Sequence, residues 1–237
     1  MSRLHLSAPI RRGLGDCLRP GGLAVTRRML ELVQLPPDPA VLDAGCGTGA
    51  TVAFLRGRGL RNVFGIDLDA SLLTASGCCP TCLTQGDLAC LPVSGRCLDL
   101  VVCECAWNLA DRCRVLAEFA RVSKPGAYLG LSDIYNRSPS GTGDRTAWPI
   151  ASCLSMATGL DTVVSEVTGA GFSIEAVEDH SALLTRTAAE FVFAHGSLHG
   201  FWQAVTGDAG LADRACAAAA DSRPGLFLVI ARRKECS

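Results

Sequence analysis

The chain has 237 residues, of which 49% are hydrophobic and 19% are charged, and its formal net charge is −1. This length and composition suit one well-packed core, so we predict a single domain over residues 1–237. The near-neutral charge, with no basic run, argues against nucleic acid as a partner. No apolar stretch is long enough to span a membrane, and no signal-peptide pattern opens the chain. We therefore expect a cytoplasmic protein.

The first predicted element is a helix over residues 23–35. Gly21 and Gly22 precede it, and Pro36 and Pro37 end it. We interpret residues 1–36 as an N-terminal helical lid segment.

The next segment is the most informative part of the chain. Residues 41–49 read Val-Leu-Asp-Ala-Gly-Cys-Gly-Thr-Gly, and a helical pattern follows. This pattern predicts a strand, a tight turn and a helix, in which glycines let the backbone approach a ligand closely. The free N–H groups at the helix start favour a phosphate or a carboxylate. The alternative is a tight connection that binds nothing.

Two acids narrow the choice of ligand. Asp43 lies at the strand tip, where it suits an ammonium group and would repel a pyrophosphate. Asp67 ends the next apolar run about 20 residues after the glycines, where an acid binds a ribose diol. Asp67 could equally cap the helix from Asp69. The glycine spacing departs from the dinucleotide fingerprint, so a nicotinamide-dependent oxidoreductase is the less favoured alternative.

Strands and helices then alternate to Val122, which is typical of a parallel sheet covered on both faces. Later predicted elements are a strand over 127–134, a helix over 160–170, a strand over 172–177, a mostly helical stretch over 181–205 and a strand over 226–231. We predict an α/β fold: a Rossmann-like, doubly wound, mostly parallel seven-stranded sheet with helices on both faces. Residues 136–158 are interpreted as a substrate-side loop, since loops after strand ends contact ligands in such sheets.

These segments resemble the class I S-adenosylmethionine-dependent methyltransferases. Residues 41–49 and 65–67 resemble that family's first two motifs, residues 85–88 its adenine-binding segment, and residues 98–104 and 124–126 its fourth strand and the turn before its fifth. The resemblance implies a methyltransferase with S-adenosyl-L-methionine as its cofactor. The residues that it implies for cofactor binding are Asp43, Gly45, Cys46, Gly47, Thr48, Gly49, Asp67, Leu68, Asp87, Leu88 and Glu104.

The chain has 13 cysteines, most of which we expect to be thiols that pack as small hydrophobic groups. Residues 103–109 and 131–135, together with Cys153 and the helix after it, resemble the arsenite methyltransferase branch of the family. This resemblance implies that Cys105 and Cys153, with Cys17 as a looser match, bind trivalent arsenic. Such a site is plausible chemically because soft thiolates select soft centres. The spacing from Cys17 to the first motif departs from that branch.

The acceptor is therefore a small molecule or a metalloid, and the sequence leaves its identity and the oligomeric state open. A soft lone pair needs no general base, whereas a hydroxyl or carbon acid would need one, for which His180, His195 and His199 are candidates. We favour packing or solvent-facing roles for His195 and His199, which we place one turn apart on one helix. Trp107 is either a core aromatic or a cover over the site.

A third hypothesis is a non-catalytic metal or redox module built on the cysteines. The segment Cys78-Cys79-Pro80-Thr81-Cys82 contains a C-x-x-C pattern. It follows no strand, and its spacing to Cys90 and Cys97 matches no standard zinc site. We therefore interpret it as structural.

Overall fold

The computed structural model describes residue 4 and residues 7–74, 80–138 and 147–235. Its strands form one sheet with the order β3-β2-β1-β4-β5-β7-β6. The strands are β1 (Val41–Ala44), β2 (Val63–Asp67), β3 (Leu83–Gln85), β4 (Leu98–Glu104), β5 (Ser123–Asn136), β6 (Phe172–Asp179) and β7 (Pro224–Arg233). All neighbours from β3 to β5 pair in parallel, and β7 runs antiparallel to β5 and β6. The prediction of a mostly parallel seven-stranded sheet is confirmed.

Helices in the described residues cover both faces of this sheet. They are α1 (Ala8–Leu14), α2 (Ala24–Leu32), α3 (Ala50–Gly57), α4 (Ala70–Thr74), α5 (Arg112–Val122), α6 (Leu160–Gly169), α7 (Ser181–His195), α8 (Leu198–Thr206) and α9 (Ala209–Ser222). Two separate apolar clusters form the core. One joins the sheet to α5 and α6, and the other joins it to α2 and α3. This arrangement is the doubly wound fold that the alternating pattern predicts.

Several predicted boundaries differ from the observed ones for local reasons. Helix α2 ends at Leu32, where Val33 adopts an extended backbone, before the two prolines are reached. Strand β5 begins at Ser123, so the turn-like residues 124–126 lie inside it, and Gly126 there has φ +76°. The predicted stretch 181–205 is two helices, since Gly196 ends α7 in a left-handed conformation and Ser197 caps α8.

The break at Gly196 corrects one prediction. His195 is the last residue of α7 and His199 lies in α8, so the two do not share one helix face. Helix α9 was not predicted at all. Its start is marked by Asp208, whose side chain accepts a hydrogen bond from the Leu211 N–H group.

Helices α7, α8 and α9 lie between β6 and β7 in the chain and form a helical cap together with α1. Their buried residues make a third apolar cluster, separate from the two clusters on the sheet faces. Phe191 of α7 stacks on Phe201 of α8 with ring centroids 4.4 Å apart, and Trp202 lies 5.7 Å from Trp148. Within the described ranges, no helix is both long and apolar enough to cross a membrane.

Candidate active site

A cavity of about 390 Å³ opens where β1, β2 and β4 end. The carboxyl ends of parallel strands are the usual ligand-binding edge of such a sheet. Residues of the glycine-rich turn, of the segments after β2, β3 and β4, and of the N-terminal segment line this cavity. We call it the cofactor cavity.

The turn after β1 has the backbone geometry that only glycine adopts easily. Gly45, Gly47 and Gly49 have φ of +82°, +54° and +79°. The N–H groups of Gly45 and Cys46 both donate to the Ile66 carbonyl oxygen, at 2.8 and 3.1 Å, which holds the turn against β2. A Cβ on Gly45 would lie 2.2 Å from the Cβ of Ala106. The turn therefore has no room for a side chain at this position.

We predict that Gly45→Ala lowers the free energy of unfolding by about 2–5 kcal/mol. The left-handed backbone costs about 1–2 kcal/mol and overpacking against Ala106 about 1–3 kcal/mol. Gly57→Ala is the matched control, since Gly57 lies in α3 with no atom within 4 Å of an added Cβ. Urea unfolding of both variants measures the difference, and equal stability would contradict the steric account.

Asp67 already receives two backbone hydrogen bonds. Its Oδ2 accepts from the Gly47 N–H group at 2.8 Å and its Oδ1 from the Asp69 N–H group at 2.9 Å. These bonds fix the carboxylate at the cavity wall while each oxygen keeps a free lone-pair direction. Asp87, after β3, is exposed and accepts from the Ala89 N–H group at 2.9 Å. Both acids line the cavity.

Asp43 is the most unusual group at the site. Its side chain is 2% exposed, and its Oδ2 atom is buried without a hydrogen-bond partner. Burial raises the pKa of Asp43 to about 7; Arg19 acts to lower that pKa, while Glu104 and Asp67 raise it further. A buried carboxylate that lacks a partner is costly, so it indicates a missing cationic or hydrogen-bond-donating ligand.

The N-terminal segment supplies the only cation that lines this cavity among the described residues. Arg19 is buried, and its Nη2 lies 2.9 Å from Oε2 of Glu104. Thr26 and Thr51 accept from the same nitrogen, each at 2.8 Å, and the Thr26 hydroxyl reaches Glu104 at 2.9 Å. Arg19 was not predicted as a site residue because Glu104, its charge partner, and Thr51 lie far along the chain.

The structure brings most of the predicted cofactor residues together. Eight of them line the cavity: Gly45, Cys46, Gly47, Asp67, Leu68, Asp87, Leu88 and Glu104. Asp43, Thr48 and Gly49 do not line it. The Thr48 hydroxyl donates to the Asp16 carbonyl oxygen at 2.6 Å, and Gly49 is the N-cap of α3. Thr48 therefore anchors the N-terminal segment, and Gly49 begins α3.

A second cavity of about 310 Å³ adjoins the first. It lies between the helical cap and the strand ends, and we call it the apolar chamber. Leu18, Cys105, Leu109 and Ser152 line both cavities. Leu18 and Cys105 have left-handed backbones, with φ of +52° and +56°. Such conformations are strained for residues with side chains and concentrate at functional sites.

The predicted arsenic-binding thiols are distributed over both cavities. Cys17 lines the cofactor cavity, Cys153 lines the apolar chamber, and Cys105 lines both. Burial raises the pKa of all three thiols, that of Cys105 most clearly, so each is protonated near neutral pH. No group of three or more His, Cys, Asp or Glu side chains in the described residues could hold a metal ion. Cys78 and Cys79 of the C-x-x-C segment lie outside the described residues.

The remaining predicted acceptor-side residues play structural roles. Trp107 is fully buried in the core and meets the Phe227 ring edge-on at 6.5 Å, so of its two interpretations the structure supports the core aromatic. His180 contacts Glu178 at 3.0 Å, His199 contacts Asp213 at 3.3 Å, and His195 packs on Phe201. None of the three histidines lines either cavity.

Comparison with known proteins supports the interpretation of the carboxyl edge of the sheet as a cofactor-binding site. Residues 42–131, from β1 through most of β5, match the model of a methyltransferase domain. The uncharacterized methyltransferase YodH of Bacillus subtilis is 34% identical over 116 residues, which are 46% of this chain and 49% of YodH. The chain spans about half the length of the curated relatives it matches.

Solved structures extend the fold likeness beyond the matched segment. Phosphoethanolamine N-methyltransferase 2 of Haemonchus contortus, in complex with S-adenosyl-L-methionine, has a TM-score of 0.74 at 16% identity, covering 96% of this chain and 56% of that one. The [4+2]-cyclase SpnF has a TM-score of 0.68 at 23% identity, covering 90% of this chain and 80% of that one. Residues 42–131 are thus similar to a methyltransferase domain, and the chain has the fold seen in class I S-adenosylmethionine-dependent methyltransferases.

Proposed function

We propose that this chain is an enzyme that transfers the methyl group of S-adenosyl-L-methionine to a small organic acceptor. The single observation that carries the proposal is the buried Oδ2 of Asp43, which has no hydrogen-bond partner in the described residues and lies in β1 two residues before Gly45, a lining residue of the cofactor cavity. The ammonium group of the cofactor's methionine part is the donor that this oxygen lacks. Arg19 pairs directly with Glu104 and acts to lower the pKa of Asp43, but it forms no hydrogen bond to the Asp43 Oδ2, so that oxygen still lacks a donor among the described residues.

The other residues of the cavity fit the rest of the cofactor. Gly45 and Gly47 leave the backbone open for close approach. Asp67 is held at the tip of β2, where its oxygens can accept from two ribose hydroxyls. We assign Asp87 to the adenine amino group, and Leu68 and Leu88 to the apolar surface for the base. These assignments follow from the resemblance, and the fact that all three residues line one cavity supports them.

Bound in the cofactor cavity, S-adenosylmethionine would supply an electrophilic methyl group to a lone pair of the acceptor. It would leave as the neutral thioether S-adenosylhomocysteine, and a proton on the acceptor atom would leave to water. The chain's own residues contribute by positioning and by excluding water. Cys105 and Leu18 lie where the two cavities meet, so their backbones define where the acceptor can approach.

Calorimetric titration tests the cofactor assignment directly. We expect S-adenosylmethionine and S-adenosylhomocysteine to bind, and NADH to bind at least tenfold more weakly, because Asp43 would repel a pyrophosphate. Tighter binding of NADH would support the oxidoreductase alternative instead. Because one structural relative is a cyclase, binding must be followed by a turnover assay with an acceptor library. Binding without any methyl transfer would refute the proposed activity.

A thiophilic acceptor such as trivalent arsenic is the second candidate. The observation that favours it is that Cys105 and Cys153 line the same chamber. Against it stand the raised pKa values of both thiols and the position of Cys17 in the other cavity. We therefore favour the organic acceptor.

Substitution of the thiols decides between these candidates. If arsenic is the acceptor, Cys105→Ser and Cys153→Ser each abolish arsenite-dependent methylation and change cofactor affinity less than about twofold. Cys113→Ser is the matched control, since Cys113 is exposed on α5 and lines neither cavity. We expect the unmodified protein to show no arsenite-dependent consumption of S-adenosylmethionine. Robust arsenite turnover that needs both thiols would overturn our preference.

A further inference from the structure

The residues that line the apolar chamber restrict the class of acceptor more than the fold alone does. Its walls come from the N-terminal helix α1, from α7 and α8, and from the segments around Trp148 and Cys153. Four aromatic rings line it: Trp148, Phe191, Phe201 and Trp202. The volume of about 310 Å³ is at the small end of the range for small-molecule sites.

The chamber wall carries no charge in the part of the chain that the structure describes. No Asp, Glu, Lys, Arg or His is among its described lining residues. The polar groups there are the side chains of Ser152, Thr185 and Thr187, the two thiols, and the indole N–H groups of Trp148 and Trp202, of which the Trp202 Nε1 is buried without a hydrogen-bond partner in the described residues. Thr185 and Ser152 already donate to the backbone carbonyls of Ser181 and Ile150. A charged ligand group would therefore enter without a countercharge, which costs several kcal/mol in an apolar site.

Among the described residues, the same lining contains no general base on the acceptor side. The carboxylates near the reaction lie in the cofactor cavity, and the thiols at the junction are held protonated by burial. Asp133 is buried beneath the junction, with its oxygens bonded to the N–H groups of Ile134 and Asn108, and it lines neither cavity. The acceptor atom must then lose its proton to water or attack through a neutral lone pair.

We infer that the apolar chamber binds a neutral, predominantly apolar organic molecule, held between the aromatic side chains of the helical cap, with its reacting atom at Cys105. This inference rests on the proposed function, since the chamber is read as the acceptor half of a methyl-transfer site. It excludes acceptors that carry a phosphate or carboxylate group within the chamber. It also excludes arsenite as the preferred acceptor.

The test uses direct binding, so it does not depend on turnover. The full chain, saturated with S-adenosylhomocysteine, is titrated calorimetrically at pH 7.5 with two matched pairs: 2-naphthol against 2-naphthoate and 1-octanol against octanoate. We expect at least one neutral probe to bind at least tenfold more tightly than its carboxylate, with the negative heat-capacity change of apolar burial. Failure of both neutral probes to bind, or equal binding of the carboxylates, would overturn the inference.

Two substitutions on one helix assign the binding to this chamber. Ala188 of α7 is half-buried and lines it, whereas its neighbour Ala189 is exposed and does not. We expect Ala188→Phe to weaken binding of the neutral probe at least tenfold and Ala189→Phe to change it less than twofold. If Ala188→Phe does not fold, Trp148→Ala at the half-buried Trp148 serves instead, with an expected loss of at least fivefold. Unchanged binding in the folded variant would place the probe elsewhere.

The outcomes separate this inference from the proposed function. Failure to bind S-adenosylhomocysteine refutes the proposed function, and the same titrations run without it still report whether the chamber takes neutral ligands. Cofactor binding together with a preference for charged probes refutes only the inference.

Discussion

Asp43→Asn is expected to weaken binding of S-adenosylmethionine by roughly 30- to 150-fold, a loss of about 2–3 kcal/mol. The Asp43 carboxylate is 2% exposed, and its Oδ2 has no partner within the described residues. Asparagine keeps the shape of the side chain but removes the charge that attracts an ammonium group. The same change relieves a buried charge, so the variant without ligand should unfold at a higher temperature than the unmodified protein at pH 8.

The pH dependence follows from the pKa of about 7 that burial gives Asp43. Because this pKa is raised above the usual value, protonated Asp43 favours the folded chain at low pH, and that contribution is lost as pH rises toward 7. Ligand binding has the opposite sign, since it needs the ionised carboxylate. We expect the dissociation constant to rise about tenfold for each pH unit below 7 and to level off above 7.

Calorimetry in buffers of different ionisation enthalpy measures this proton release. Asp133 is also buried and also has a pKa raised to about 7, so it titrates in the same range, but backbone N–H groups already donate to both of its oxygens. Asp43→Asn should therefore flatten the pH dependence of binding while leaving a pH-dependent melting temperature. A variant that binds as tightly as the unmodified chain at every pH would show that Asp43 does not contact the ligand.

The sheet and the cofactor edge could be predicted because their signals are local. Strands β1 and β2 end in acids, and the glycine turn lies within nine residues. Alternation of strand and helix then places these ends at one edge of a parallel sheet. The Gly47 N–H group and the Asp67 Oδ2, 20 positions apart in the chain, lie 2.8 Å apart at this edge.

The acceptor side could not be predicted because it is assembled from distant segments. Leu18, Cys105 and Trp148 line one chamber with residues of α7 and α8, and no local pattern joins them. The helical cap itself depends on Gly196, whose left-handed backbone splits one apolar stretch into two helices. The resemblance to arsenite methyltransferases drew attention to the cysteines, yet residue type alone does not reveal that burial keeps them protonated.

The second prediction with a large expected effect concerns Arg19, which joins the N-terminal segment to the site. Its guanidinium lies 2.9 Å from Glu104, and the two side chains are 10% and 1% exposed. Arg19→Met leaves the Glu104 carboxylate buried without a cation, although Thr26 and Thr51 can still donate to it. We expect the free energy of unfolding to fall by about 3–5 kcal/mol, the usual cost of breaking a buried pair from one side.

Two companion variants show whether the buried pair is the cause. The double variant Arg19→Met with Glu104→Gln removes both charges, so urea unfolding should recover most of the lost stability. Arg186→Met is the control: its pair with Glu190 is 80% and 59% exposed, and its loss should stay below about 1 kcal/mol. Because Arg19 also acts to lower the pKa of Asp43, Arg19→Met should shift the pH midpoint of cofactor binding above 7. A midpoint unchanged in a stable, folded variant would mean that the N-terminal segment closes the cavity without setting its charge.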